Sequence, residues 1–133
     1  EFMSNGTFIR KWGSPCNLQT GAGCIDPDGA GPLSRGDGQF NYPIAIAIDS
    51  MDNVYVAEAG NNRIQKFHND GTFIRKWGSL CNLQNGTGCI DPDGAGPLSS
   101  GDGQFWLPTG IGIDSSGNVY VGDYHNNRIQ AFR

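Results

Sequence analysis

Pro43-Ile44-Ala45-Ile46-Ala47-Ile48-Asp49-Ser50-Met51-Asp52-Asn53-Val54-Tyr55-Val56 is the stretch that decides the fold. Isoleucine alternates with alanine through the first half, the period-two pattern of a strand with two unlike faces. Asp49 to Asn53 supplies the Asp and Asn side chains that tolerate hairpin dihedrals. Val54-Tyr55-Val56, β-branched and aromatic, is the returning strand. The same reading applies 65 residues later, from Pro108 to Asp114, through the turn Asp114-Ser115-Ser116-Gly117-Asn118, to Val119-Tyr120-Val121. There glycine takes the place of alanine, and such small residues suit innermost strands crowded around an axis.

Working outward, Arg63 to Phe67 and Arg128 to Phe132 form a third strand in each copy. Thr72 to Trp77 forms a fourth, preceded by the turn Asn69-Asp70-Gly71. Gly6-Thr7-Phe8-Ile9-Arg10-Lys11-Trp12-Gly13 returns as Gly71 to Gly78, and about 46 of 65 aligned positions are identical without insertion or deletion. The chain therefore divides into residues 1–3, a first repeat over 4–68 and a second over 69–133. Each repeat holds an outer strand, a long insert and three blade strands. The expected fold is all-β, with four-stranded antiparallel units in tandem and no helix between them. A propeller fits this better than a sandwich.

Composition agrees. Twenty-one glycines among 133 residues, with only 17% charged, suit short strands and tight turns. The net charge of -4 and the scattering of Lys and Arg argue against nucleic acid. No apolar stretch approaches the roughly 20 residues that span a bilayer, so no membrane partner is expected. No signal peptide is visible, and Glu1-Phe2 ahead of Met3 looks like a cloning remnant.

The pattern Pro-x-x-Ile-x-Ile-Asp-x-x-x-Asn-Val-Tyr-Val, then Asn-Asn-Arg-Ile-Gln-x-Phe, then Gly-Thr-Phe-Ile-Arg-Lys-Trp-Gly, resembles the NHL repeat. The resemblance covers both copies except the insert between Ser14 and Gly38 and its twin. It implies a β-propeller, most often six-bladed, with one blade per repeat. It implies a fold strongly and an activity only weakly.

In that blade order the first strand lines the channel and the fourth lies outermost. The chain opens with a fourth strand, Thr7 to Trp12, and closes with a third, Arg128 to Phe132. The expectation is that the free outer strand completes the second blade of another copy. Three chains would then make a closed six-bladed homotrimer, while four would make eight blades. An open edge is a drive to pair, and the bland alternative is a fragment that aggregates through it.

The insert, Ser14 to Phe40 and again Ser79 to Phe105, is long for a connection without evident secondary structure. Its cysteines, Cys16, Cys24, Cys81 and Cys89, allow three connectivities. Identical placement favours local Cys16–Cys24 and Cys81–Cys89 disulfides, each closing a short loop for roughly 2–3 kcal/mol. Such bonds would favour an extracellular or other oxidising compartment. Reduced thiols in the cytosol and a zinc site are the rivals, and zinc lacks a Cys-x-x-Cys or a histidine here. Asp26, Asp28 and Asp37, with Asp91, Asp93 and Asp102, could offer calcium its oxygens. Ala30 in a ligand position and flanking prolines favour plain Asx turns instead.

The insert shares one propeller face with two strand connections, which place Glu58, Asn61 and Asn62, and Asp123, Tyr124, His125, Asn126 and Asn127, on the binding side. A non-catalytic scaffold binding protein or glycan is the first functional expectation. The alternative is a hydrolase or lyase with a metal at the channel mouth. An enzyme should show converging titratable groups, yet only His68 and His125 are present and no Ser-His-Asp pattern is seen. A chain made to study how propellers arise from repeats also fits the clean two-repeat length.

Overall fold

The computed structural model describes residues 1–15, 20, 37–81, 84 and 102–133. Among these, nine strands form three sheets. β1 (Ser14–Pro15) and β2 (Gln39–Phe40) make a short parallel pair. β3 (Pro43–Ile48), β4 (Val54–Glu58), β5 (Arg63–Phe67) and β6 (Phe73–Trp77) follow one another in a four-stranded antiparallel meander. β7 (Pro108–Ile113), β8 (Val119–Asp123) and β9 (Arg128–Phe132) repeat its first three strands. Even the irregularities recur: the register slips between Pro43 and Ala45, and again between Pro108 and Gly110. Proline opens β3 and β7, the one strand position where its missing N–H costs least.

The hairpin chemistry is as read. Asp49 Oδ1 accepts the N–H groups of Met51 and Asn53, at 3.0 and 2.9 Å. Asp114 does the same for Ser116 and Asn118 at 2.9 Å each. Asp52 at φ 62° and Gly117 at φ 83° take the left-handed position of the two turns.

The strands have two unlike faces, and the core lies where the two larger sheets meet. Tyr55, Ala57 and Ile64 of the first sheet bury themselves against Phe105, Val119 and Val121 of the second repeat, with Ala45, Trp77, Ile111, Ile113 and Phe132 packed around them. Trp77 bridges the seam, its ring 6.2 Å from Tyr55 and 5.8 Å from Phe132. A second cluster, Val54, Val56 and Phe67, lies on the opposite face of the first sheet with Trp12, Phe40 and Phe73 against it.

Two sequence expectations change here. Thr7 to Trp12 is not a strand: it makes one bridge, Phe8 with Phe2, and otherwise runs irregularly. A strand needs a backbone partner along its length, and among the described residues the backbone of this segment bonds only with the first few residues of the chain, while its Trp12 side chain packs on the first blade. The insert also has regular structure at its ends, because β1 and β2 bracket it in parallel, and Leu80 and Phe105 repeat that bridge. Among the described residues one 3-10 turn, Tyr124–Asn126, joins β8 to β9.

Candidate functional site

The loop face is built on two nearly equivalent polar networks. In the first repeat Glu58 is fully buried. Its Oε1 accepts the Asn41 N–H at 3.0 Å and Asn61 Nδ2 at 2.8 Å. Its Oε2 accepts Arg63 Nε and Gln65 Nε2. Arg63 and Gln65 also donate to the Gln39 carbonyl, both at 2.8 Å, while Gln65 Oε1 accepts the Gly38 N–H at 3.1 Å. The Asn-Asn-Arg-Ile-Gln motif therefore fastens the returning end of the insert to the blade. A buried carboxylate without these partners would be costly.

The second repeat rebuilds the network around Asp123. Its carboxylate accepts the Trp106 N–H at 2.7 Å, Asn126 Nδ2 at 2.9 Å and Arg128 Nε at 2.8 Å. Arg128 and Gln130 reach the Gln104 carbonyl, and Gln130 Oε1 accepts the Gly103 N–H. Asn126 also donates to the Cys81 carbonyl at 2.6 Å, tying the start of the second insert to the same point. Gly78 completes the junction at φ 104°, where an added Cβ would meet the Phe105 ring at 2.7 Å and the Asn62 carbonyl at 2.8 Å.

The candidate surface residues thus separate by role. Glu58, Asn61, Asn62 and Asp123 are buried. Asn62 Oδ1 crosses the seam to accept the Leu107 N–H at 2.9 Å. Tyr124 is exposed, and His125 stacks between it and Trp106, with ring centroids 4.8 and 4.6 Å away. Trp106 was not singled out by sequence. Its signal was available: Asn41, Ala59 and Gly60 change together to Trp106, Tyr124 and His125 between the repeats, as residues in contact do. Tyr42 and Leu107, both at left-handed φ, mark where each blade rises from this face.

Of the candidate metal ligands, Asp26, Asp28, Asp91 and Asp93 lie outside the described residues. Asp37 Oδ1 is paired with Lys76 Nζ at 2.6 Å. Among the described residues, no group of three or more His, Cys, Asp or Glu side chains is placed to hold a metal ion. Cys16, Cys24 and Cys89 also lie outside the described residues. Cys81 is fully buried and disulfide-bonded.

At the opposite end of the first sheet, Asp49 accepts from Asn53 Nδ2, Tyr55 Oη and, at 3.2 Å, Lys66 Nζ. Burial pushes its carboxyl upward, but the hydrogen bonds from Asn53, Lys66 and Met51 outweigh that and hold it well below the usual carboxylate range. Burial likewise lowers Lys66, and the Tyr55 and Asp49 oxygens more than restore it, leaving it raised. The second repeat has Ala131 in place of Lys66, so Asp114 is held low by Asn118 and lesser hydrogen bonds alone.

With this geometry in hand, comparison with known families is decisive. The NHL repeat model matches residues 40–67 and 105–132, which carry β3 to β5 in the first copy and β7 to β9 in the second. The chain belongs to the NHL-repeat family. NHL repeat-containing protein 3 of Mus musculus is 33% identical over 135 residues, covering 99% of this chain and 30% of that protein. Its Homo sapiens namesake is 36% identical over 97 residues, covering 71% of this chain and 23% of that protein. Protein lin-41 of Caenorhabditis elegans is 32% identical over 82 residues, covering 57% of this chain and 7% of that protein. This chain spans less than a third of each relative. Its NHL repeats identify the two antiparallel sheets as propeller blades.

Proposed function

We propose that this NHL-repeat chain is a non-catalytic propeller scaffold that assembles into a ring and binds a protein partner on its loop face. The observation that carries the reading is the way both networks spend their charged groups. Glu58 with Arg63, and Asp123 with Arg128, fix loop ends, which leaves the Trp106–His125–Tyr124 cluster as the surface presented outward. Rigid, amphipathic aromatics suit protein recognition, because they bury area at little entropic cost.

Assembly follows from the unequal flanks. Among the described residues the second blade has three strands, and β9 pairs there with β8 alone, leaving an outer edge to be closed. Thr7 to Trp12 of a neighbour is the strand to close it, and three copies give six blades with no exposed edge. The register of β5 with β6 sets the expected pairing, Trp12 opposite Ile129 and Lys11 opposite Gln130. We further assign local Cys16–Cys24 and Cys81–Cys89 disulfides and an insert whose aspartates form turns. Light scattering across a size-exclusion peak tests the ring: a trimer of 14.2 kDa chains gives about 43 kDa. A single-chain mass at all concentrations would refute it. Pull-down of protein partners should weaken when Tyr124 and His125 are both changed to Ala, with the ring mass unchanged.

A further inference from the structure

We propose that the two open flanks are the halves of one interface for a second copy of this chain, and that Glu1-Phe2-Met3 occupies within each chain positions that the incoming Ala131-Phe132-Arg133 requires. This inference rests on the self-assembly reading above and assigns its contacts.

The template is the seam inside the chain. Tyr55 and Ile64 are 4% and 0% exposed there, while their equivalents in the second repeat, Tyr120 and Ile129, are 42% and 75% exposed. The receiving side shows the converse. Ile111 and Ile113 pack into the seam, whereas Ile46 and Ile48, 65 residues earlier, stand in solvent. Thus the C-terminal sheet presents the face that inserts, and the N-terminal sheet presents the face that receives. An added Cβ at Gly110 or Gly112 meets nothing within 4 Å, so the inserting face has room for a close neighbour.

Trp12 extends the parallel. It lies 6.1 Å from Phe67, much as Trp77 lies 5.8 Å from Phe132. Within the chain, Trp77 and Tyr55 meet at 79° between ring planes; between copies, Trp12 would meet Tyr120. The cross-seam hydrogen bond from the Leu107 N–H to Asn62 has its counterpart in Tyr42 and Asn127. Such an interface is head-to-tail, with unlike surfaces on the two sides. A second copy is the occupant because its Tyr120 and Ile129 match Tyr55 and Ile64, which already fit Val119, Val121, Ile111 and Ile113 within the chain, and Val54, Val56, Ile46 and Ile48 repeat that receiving set.

The N-terminus reproduces the start of β6 and the turn before it. Phe2 bridges Phe8 as Phe67 pairs with Phe73. The Met3 N–H donates to the Thr7 carbonyl as His68 does to Thr72, and Gly6 to Met3 as Gly71 does to His68. Thr7 N–H meets Asn5 Oδ1 just as Thr72 N–H meets Asp70 Oδ1. Glu1, Phe2 and Met3 therefore sit where a preceding third strand would end. Beyond them a groove of about 370 Å³, lined by Glu1, Trp12, Phe40, Ile44 and Ile46 among others, remains for the rest of that strand. Glu1 is held by an exposed 3.0 Å ion pair to Arg10, an exposed 2.9 Å bond from its N-terminus to the Arg10 carbonyl and a 3.0 Å bond from the Ile9 N–H, the last of which an incoming strand can replace.

The test compares association midpoints of the whole chain by sedimentation or light scattering, with circular dichroism as the folding control. Deleting residues 1–3 should lower the midpoint concentration at least tenfold. Ile129→Glu and Ile46→Glu, both at exposed sites, should each abolish association of the purified variant. Mixed together, each variant still holds one intact half, so the pair should form a two-chain species and nothing larger. If the parent chain stays single at every concentration, the flanks take some other occupant and the ring reading fails with this one. If the parent associates but the mixture stays monomeric, or either variant associates alone, the assigned seam is overturned while the ring stands. An unchanged midpoint on deletion overturns the role of Glu1-Phe2-Met3 alone.

Discussion

Ile64 and Ile129 hold the same position in two copies of one motif, yet the first is fully buried and the second is 75% exposed. Their strands are alike in register, and their flanking turns differ little. What separates them is the neighbour: Ile64 faces the second sheet across the seam, and Ile129 faces no sheet among the described residues. The polar networks show a milder form of the same contrast. Arg63 is 2% exposed at its side chain and Arg128 is 19%, although each pairs with a fully buried carboxylate. Local sequence sets a side chain's direction, while packing from outside the motif decides what that direction is worth.

The largest break in this comparison should come from Glu58→Ala, which strands the Arg63 guanidinium in the interior. A cost of about 3–5 kcal/mol in urea unfolding is expected. Asp123→Ala should cost less, about 2–3 kcal/mol, because the Arg128 head can reach water. Equal losses would mean that burial does not distinguish the two networks.

Ile64→Ala should cost about 2–4 kcal/mol as a buried truncation. Ile129→Ala in dilute, dissociated protein should fall within about 0.5 kcal/mol of neutral. Repeating the pair at concentrations where copies associate sharpens the test, since Ile129→Ala should then become concentration-dependent.

Acid should discriminate between the two hairpins. The folded Asp49 carboxyl lies below its unfolded value near pH 3.9, so the unfolded state binds the proton first. Its stabilisation is present above that pH and is lost as pH falls toward the folded value. Asp49→Asn should flatten this part of the stability–pH curve, with Lys66→Ala flattening it partially. Ala131→Lys should make the second hairpin resemble the first. A curve indifferent to Asp49→Asn would show that its hydrogen bonds do not favour the ionised form.

The smallest effect expected is that of calcium. With the insert aspartates acting as turn formers, millimolar calcium should leave the melting temperature unchanged within about 1 °C. Specific binding would raise it with concentration. A rise abolished by Asp26→Ala with Asp91→Ala would establish a cation site in the insert.

The blade strands were legible because their signals are local. Alternation marks Pro43–Ile48, and the Asp49 to Asn53 turn chemistry fixes the hairpin that follows it. The 65-residue period gave the second sheet from the first. The candidate surface was less legible, since hydrophilic residue types do not reveal burial. Glu58 and Asn61 read as exposed loop residues, but they are interior because Arg63, Gln65 and the Asn41 backbone converge on them. Trp106 was missed because its contact with His125 joins segments far apart in the chain.

By itself, then, the sequence determined strand identity, turn geometry and the repeat, because these depend on backbone preference and on alternation over a few residues. Tertiary structure alone decided which Ile and Tyr side chains lie in the core and which carboxylates are spent holding loops. It also decided that Thr7 to Trp12, though identical in sequence to Thr72 to Trp77, which carries β6, lies against the blade without a strand's pairing. Strand pairing and burial both require a second surface, and no stretch of sequence contains its own neighbour.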